Sequence, residues 1–192
     1  MKEQEITDFV RQMKPTDHVV MFYSKPEDKR EVLFTFLKAG LDQGKAAAYV
    51  ATQESPDEIR HAMQAFGIDV GRLENSGALH VFPYKDLYFK GGRFSIPNVM
   101  GLWKRLYADA TAKGFKGFRA AGEMACFFKE KAIKELVEYE RALGRSFEMP
   151  LEGICAYDAN DLAEKGGLYL DLIKAHKAVI ITGPLGGVVS SY

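Results

Sequence analysis

The segment from His18 to Ala51 constrains the fold of this chain more than any other part of the sequence. Residues 18–23 (HVVMFY) are almost continuously apolar, which is typical of a strand buried on both faces. The residues after them carry one apolar face at helical spacing, formed by Val32, Leu33, Phe36, Leu37 and Leu41. Residues 46–51 (AAAYVA) form a second buried run. Strand, helix and strand in this order predict a right-handed crossover that joins two parallel strands.

The turn between the first strand and its helix lies where a phosphate-binding loop would lie, but it lacks the required glycines. Such a loop has the pattern G-x-x-x-x-G-K-[ST]. If Lys29 takes the lysine position, Tyr23 and Asp28 take the glycine positions and Arg30 takes the hydroxyl position. Side chains at those positions keep backbone amides from closing on a phosphate. The loop therefore argues against the usual mode of nucleotide binding.

The same turn carries signals for the start of the helix. Ser24 and Glu27 match a capping box, with Pro26 in the first turn. Lys29 and Arg30 are then predicted to lie on a solvated helix face.

The rest of the chain alternates strands and helices. Residues 3–13 predict a short amphipathic helix, and Ser55 with Glu58 predicts a second capping box. Further strands are predicted at residues 79–83, 117–121, 151–157 and 178–182, with an edge strand at 188–192. We therefore predict a three-layer α/β sandwich with a mostly parallel central sheet. Residues 1–15 form a helical extension and residues 16–192 a single domain in this prediction.

Residues 84–98 (YKDLYFKGGRFSIPN) form the longest irregular segment. The segment is rich in aromatic residues and contains two adjacent glycines. Long loops of this kind are often lids or binding segments. Aromatic side chains folded down onto the core are the alternative.

Composition excludes several classes of function. The chain has 192 residues, 26 basic and 26 acidic side chains and a formal net charge of zero, which gives no electrostatic case for nucleic acid or a membrane surface. No apolar run approaches the roughly 20 residues of a membrane span. A charged N-terminus without an apolar secretion core favours a cytoplasmic protein. In that reducing compartment, Cys126 and Cys155 are expected to be buried free thiols.

A ligand site is predicted at the carboxyl ends of the strands, where open α/β sheets bind their ligands. The residues expected to bind the ligand are Phe22, Tyr23, Glu123, Met124, Tyr157 and Asp158. Glu123 is either a polar anchor for the ligand or a structural carboxylate that caps a helix or pairs with Arg119 or another base. Tyr23 and Tyr157 either line the pocket or pack in the core, and Asp158 can also cap the next helix.

The two histidines that precede apolar strands are a separate feature. His18 and His176 are expected at the amino ends of their strands, away from the ligand site, where they form a structural pair. Clustered Cys/His spacing and the HExxH motif are both missing, so the sequence predicts neither a metal nor a cofactor.

Taken in order, several short motifs resemble the sensory domain of the DcmR type, known as MEDS (methanogen/methylotroph, DcmR sensory domain). The resemblance covers roughly residues 16–192. It rests on the opening strand 18–23, GRF at 92–94, GEM at 122–124, YE at 139–140, CAYD at 155–158 and His176. The family looks like an offshoot of the RecA/KaiC ATPases that lost the phosphate loop, which agrees with the loop at 23–30.

The resemblance implies a non-catalytic domain that senses a small organic molecule, such as a hydrocarbon derivative or a methylotrophic metabolite. Because the chain leaves no room for an attached output domain, the expected partner is a downstream regulator or kinase protein, with a homodimer as an open possibility. Two alternatives remain. One is a residual nucleotide-binding ATPase of the RecA kind, and the other is a scaffold that acts through protein contacts without any ligand.

Overall fold

The computed structural model describes residues 2–145, 147–163, 165–184 and 186–190. Its strands are β1 (His18–Tyr23), β2 (Ala46–Ala51), β3 (Leu79–Pro83), β4 (Phe118–Glu123), β5 (Leu151–Asp158), β6 (Ala178–Ile181) and β7 (Gly187–Ser190). Its longer helices are α1 (Lys2–Arg11), α2 (Pro26–Asp42), α3 (Pro56–Ala65), α6 (Ile96–Ala112), α8 (Ile133–Leu143) and α10 (Gly166–Ala175). Four short helices complete the set: α4 (Val70–Asn75), α5 (Tyr84–Leu87), α7 (Ala125–Lys129) and α9 (Ala159–Leu162).

The seven strands form one sheet in the order β3-β2-β4-β5-β1-β6-β7. The first six are parallel to their neighbours, and β7 is antiparallel to β6 at the edge. β1 and β2 are parallel, as predicted, but β5 and β4 lie between them. The predicted fold class, a three-layer α/β sandwich with a mostly parallel sheet, is confirmed.

Each face of the sheet has its own apolar core, because successive side chains along a strand point to opposite faces. The first core contains the helices α1 to α4 together with Met21, Tyr23 and Tyr49. The second contains α6 to α10 together with Val20 and Phe22. We call these sides the α2 face and the α8 face.

The N-terminal helix packs on the body of the protein. Ile6 and Val10 of α1 are 6% and 0% exposed and belong to the core of the α2 face. Apolar side chains at this spacing bury one stripe of the helix, as the sequence predicts. The division into a 1–15 extension and a 16–192 domain stays a prediction.

One of the two predicted capping boxes is correct. Ser55 accepts a hydrogen bond from the Glu58 amide, and Glu58 accepts one from the Ser55 amide. The box predicted at Ser24 and Glu27 is wrong, because α2 starts one residue later and its N-cap is Lys25, which makes no side-chain cap bond. Pro26 fixes this start at the first helical position.

Several predicted bounds shift in the structure. β4 runs to Glu123 rather than ending at residue 121, so Glu123 belongs to the strand itself. The edge strand is Gly187–Ser190, and residues 191 and 192 of its predicted range lie outside the described residues. Among the described helices, none is long and apolar enough to cross a membrane.

The 84–98 segment is folded onto the α8 face. Tyr84 begins the short α5, and a 3₁₀ turn follows at Lys90–Gly92. Tyr88 and Phe89 are buried, and the Phe94 ring lies 5.5 Å from that of Tyr139. The aromatic side chains of the segment therefore pack onto the core, which is the second of the two alternatives. Its expected role as a lid stays a prediction.

Candidate functional site

The most extensive polar network surrounds Glu123 at the carboxyl end of β4. Its Oε1 accepts hydrogen bonds from the Lys29 ammonium at 2.7 Å and from the Tyr49 hydroxyl. Its Oε2 accepts from the backbone amides of Thr52 and Gln53 at 2.8 and 2.9 Å. Four donors therefore satisfy this carboxylate, although its side chain is completely buried.

Lys29 reaches Glu123 from the first turns of α2. Its ammonium also donates to Gln53 Oε1 at 3.1 Å and to Glu54 Oε2 at 3.4 Å. Its side chain is 0% exposed, so the prediction that Lys29 lies on a solvated face is wrong. The reason is that residues 52–54, which follow β2, cover this turn of the helix. Arg30 is 40% exposed and pairs with Glu54.

The sequence left open whether Glu123 pairs with a base, and the structure gives it one. The carboxylate pairs with a base, but the base is Lys29 rather than Arg119. Arg119 lies on the same face of β4 and pairs instead with Glu152. A buried carboxylate and ammonium at this distance neutralise each other, so the site carries a compensated pair rather than a free anion-binding lysine.

The nearby phenols act as hydrogen-bond donors. Burial, followed by the charge of Glu123, raises the pKa of Tyr49 well above its usual value. Burial and then Glu123 also raise the pKa of Tyr23, whose hydroxyl donates to Gln53 Oε1 at 2.8 Å. Both phenols therefore remain protonated at neutral pH and hold the 52–54 loop in place.

The predicted ligand-binding residues divide between the two faces of the sheet. Tyr23 and Glu123 lie on the α2 face and both contact Gln53. Asp158 caps α9, and its carboxylate lies 3.5 Å from the side-chain Nε2 of Gln53. On the α8 face, Phe22, Met124 and Tyr157 belong to the other core. The six residues thus do not line one common pocket.

Tyr157 leads to a second buried cluster, which the sequence indicated only in part. Its hydroxyl donates to Glu140 Oε1 on α8. The other oxygen of Glu140 lies 3.4 Å from Nε2 of both His18 and His176, whose rings are 3.9 Å apart. The two histidines are therefore neighbours at the amino ends of β1 and β6. Sequence reasoning missed Glu140 as their companion, although a carboxylate on the apolar stripe of α8 was a signal.

A small inner cavity lies between the α8 face of the sheet and the helices α6 and α8. Its volume is about 20 Å³, roughly the space of one water. Its wall is mainly aromatic and apolar, with Tyr88, Trp103, Tyr139, Phe147, Ala120 and Cys155 among the lining residues. A larger surface cavity, of about 640 Å³, lies elsewhere, between α1, the start of α2 and the turn after β6.

Two of the residues that line the inner cavity, Tyr88 and Tyr139, carry hydroxyl groups. Trp103 Nε1 donates to the Tyr139 hydroxyl at 3.0 Å, which leaves the hydroxyl hydrogen of Tyr139 for another acceptor. The Tyr88 hydroxyl lies 3.7 Å from the Met124 sulfur, a weak acceptor. Burial raises the pKa of both phenols well above the usual value, so both stay protonated donors.

Comparison with known structures supports the fold. A crystal structure of a KaiC-like protein from the hyperthermophilic archaeon Pyrococcus horikoshii OT3 is similar, with a TM-score of 0.62 and 19% sequence identity. The similarity covers 87% of this chain and 71% of that chain. It confirms the predicted relation to the RecA/KaiC fold. At 19% identity, the similarity shows the fold and not the function.

Comparison with protein families supports the resemblance seen in the motifs. The comparison with curated proteins gave no match. Residues 17–177, well over half of the chain, match the sequence model of the MEDS family (methanogen/methylotroph, DcmR sensory domain). The protein therefore belongs to the MEDS family of sensory domains.

Proposed function

We propose that this chain is a non-catalytic sensory domain that binds a small organic molecule and signals through a partner protein. The observation that carries the proposal is the buried Lys29–Glu123 pair. In a phosphate-loop enzyme the lysine is available to phosphate oxygens. Here its ammonium is held at 2.7 Å by a carboxylate and is covered by residues 52–54.

Binding a triphosphate at this position would require breaking the pair. An incoming anion would leave the Glu123 carboxylate buried beside negative charge, and breaking a buried ion pair costs about 3–5 kcal/mol. Tyr23 and Asp28 stand where the glycines of a phosphate loop would lie, and they oppose the same approach. These features favour recognition over nucleotide chemistry.

The inner cavity of the α8 face is the site that we assign to the organic ligand. It offers an apolar and aromatic wall with two hydroxyl donors, from Tyr88 and Tyr139. This suits a molecule of a few heavy atoms with an apolar body and one hydrogen-bond acceptor, such as a short alcohol, aldehyde or halogenated hydrocarbon.

Binding at this cavity gives a route to a signal. The cavity of about 20 Å³ is smaller than such a ligand, so its wall has to move. Tyr88 forms part of that wall and belongs to the 84–98 segment. Displacement of Tyr88 would shift the segment and change the surface offered to a partner, provided that the ligand binds the shifted state more tightly.

A ligand screen with a blocking variant tests the proposal. Thermal unfolding would be measured with short alcohols, aldehydes, ketones and halogenated one- and two-carbon compounds, alongside native mass spectrometry of the purified chain. We expect at least one class to raise the unfolding midpoint. Ala120→Val fills the cavity wall and should abolish that rise, whereas Ala65→Val on the exposed side of α3 should keep it. Failure of every compound, or an unchanged response of Ala120→Val, would contradict the proposal.

A further inference from the structure

The cluster at the amino ends of β1 and β6 contains four side chains that are typical metal ligands. His18 begins β1, Cys155 lies in β5, Glu140 lies on α8 and His176 precedes β6. Each offers one ligand atom, and these four atoms lie within 4.8 Å of one another. All four residues are buried.

The hydrogen bonds of the two histidines orient their lone pairs into the cluster. Nδ1 of His18 lies 2.6 Å from the Gly144 carbonyl oxygen, and Nδ1 of His176 lies 2.7 Å from the Leu172 carbonyl oxygen. A carbonyl oxygen only accepts, so each Nδ1 carries the hydrogen and donates it. In its neutral form, each ring then presents a bare Nε2. Histidines that bind metals almost always have this arrangement, in which the other ring nitrogen donates to a carbonyl or carboxylate.

Of the four facing atoms, the two Nε2 atoms and Glu140 Oε2 carry no hydrogen in this arrangement, and only the Cys155 thiol, 3.4 Å from His18 Nε2, has one to donate. Both bare Nε2 atoms lie 3.4 Å from Glu140 Oε2. Among the described residues, Glu140 Oε2 and His176 Nε2 are buried without any hydrogen-bond partner. Lone pairs that face one another in a buried site repel unless a proton or a cation lies between them.

Three of the six separations in the cluster match those of a tetrahedral ion, and the others are no longer than 4.8 Å. Zinc bonds of about 2.0–2.3 Å at tetrahedral angles place neighbouring ligand atoms about 3.3–3.6 Å apart. Both histidine-to-glutamate separations are 3.4 Å, and His18 Nε2 also lies 3.4 Å from Cys155 Sγ. We propose that His18, Glu140, Cys155 and His176 form a closed, four-coordinate site for a divalent transition-metal ion, with zinc as the best fit.

The charge balance of such a site is favourable. Binding of the ion releases the Cys155 thiol proton to water, and the resulting thiolate and the Glu140 carboxylate together offset the two positive charges. The product is a neutral buried centre, in place of a lone buried carboxylate. Tyr157 completes the arrangement, because its hydroxyl donates to the other oxygen of Glu140 and orients the ligand.

This site does not depend on the proposed organic ligand. Its four ligands come from β1, β5, the helix α8 and His176, two residues before β6, so the ion would join elements distant in sequence. Cys155 also lines the inner cavity, which places the ion at one end of that cavity.

Metal analysis of the full chain tests the proposal directly. The protein would be purified without a metal-affinity step, unfolded with a chelator, and refolded with or without added Zn²⁺, because a closed site loads as the chain folds. We expect about one zinc per chain by elemental analysis after dialysis, and a higher unfolding temperature. Refolding with Co²⁺ should give a thiolate-to-cobalt charge-transfer band.

Paired variants separate this site from adventitious binding. Cys155→Ser should abolish the cobalt–thiolate band, while Cys126→Ser, which changes the other buried thiol, should keep it. Glu140→Gln and His176→Ala should lose the bound zinc, and His80→Ala should retain it. Tyr157→Phe leaves all four ligands in place and should weaken zinc binding about 10- to 100-fold.

Two results would overturn the assignment. One is a natural chain that retains no zinc or cobalt after refolding and dialysis, which would mean that a proton on one histidine holds the cluster together. The other is equal metal retention in the natural chain, Cys155→Ser and Glu140→Gln. Circular dichroism of each variant identifies any that fails to fold. If a ligand variant does not fold, the zinc affinity of Tyr157→Phe decides, and an unchanged affinity overturns the assignment.

Discussion

The ammonium of Lys29 lies 2.7 Å from the carboxylate of Glu123, and neither side chain is exposed. The pair joins the first turns of α2 to the end of β4, across the position where a phosphate-loop enzyme would hold a phosphate. The proposed non-catalytic role rests on the internal neutralisation of this pair.

The buried pair should show strong energetic coupling. Lys29→Met leaves an uncompensated buried carboxylate, and Glu123→Gln leaves an uncompensated buried ammonium, so each should lower the free energy of unfolding by about 3–5 kcal/mol. The double variant should lose clearly less than the sum. Urea unfolding of all four proteins measures this.

An exposed ion pair on the same helix provides the matched control for this double-mutant comparison. Lys38 and Asp42 lie 2.8 Å apart on α2, with both side chains well exposed. Lys38→Met should change the free energy of unfolding by no more than about 0.5 kcal/mol. Additive losses at Lys29 and Glu123 would show that the two groups act independently, against the structure.

A glycine of α2 should be intolerant of a side chain because of Arg119. A Cβ at Gly40 would lie 2.4 Å from Arg119 Cδ. The arginine cannot move away easily, since it is buried and bonded to Glu152 and to the Phe36 carbonyl. We expect Gly40→Ala to destabilise the protein by about 1–3 kcal/mol.

The control for this prediction is a helical glycine in open space. A Cβ at Gly71 in α4 would meet no atom within 4 Å. Gly71→Ala should therefore stabilise the protein by about 0.5–1 kcal/mol through helix propensity. If thermal unfolding showed the same shift for both variants, the close packing of Arg119 on α2 would be incorrect.

A second glycine offers a way to imitate the ligand. A Cβ at Gly122 would lie 2.5 Å from the Tyr88 hydroxyl oxygen, whereas one at Gly117 would make only ordinary contact with the Lys45 side chain. Gly122→Ala should therefore displace Tyr88 and speed hydrogen exchange across residues 84–98 by about tenfold or more. Gly117→Ala should leave that exchange unchanged. Equal exchange in the two variants would argue against a mobile role of the segment.

Alkaline pH should unfold the protein cooperatively. Burial is the main cause that raises the pKa of Tyr49, Tyr88, Tyr139 and Tyr157 well above the usual value, and it raises the pKa of Cys126 to about 12. Groups whose pKa is higher in the folded state stabilise it fully below their unfolded pKa values. That contribution is lost as pH rises from about 9–10 upward.

Two signals recorded together check the alkaline transition. Most of the tyrosinate absorbance should rise in one step above pH 10 that coincides with the loss of far-ultraviolet circular dichroism, since the buried phenols ionise only on unfolding. If most of the nine tyrosines ionised gradually near pH 10 while the circular dichroism stayed native, the buried positions of these phenols would be wrong.

Local patterns explain why much of the fold could be predicted from the sequence. The apolar runs of β1 and β2 and the capping box at Ser55 contain their own signals. The box at Ser24 failed because Pro26 already suits the first helical position and lets Lys25 serve as N-cap. Two adjacent start signals differ by too little energy for sequence alone to choose between them.

Much of the candidate site could not be predicted from the sequence, because its contacts join residues that are far apart along the chain. The burial of Lys29 arises from the 52–54 loop, which lies more than 20 residues away along the chain. The His18 cluster joins four separated positions, so rules based on ligand spacing could not find it. One error was avoidable, since the adjacent residues Phe22 and Tyr23 of one strand must face opposite sides of the sheet.

Calorimetric titration with magnesium ATP, combined with an ATP-turnover assay, shows whether the buried Lys29–Glu123 pair keeps this fold from binding and hydrolysing a nucleotide. We predict no binding heat and no turnover. The Lys29 ammonium already donates to Glu123, and residues 23–30 lack the glycines that let backbone amides close on phosphates. Magnesium-dependent ATP turnover that is lost in Lys29→Ala would contradict the non-catalytic role and favour a residual ATPase.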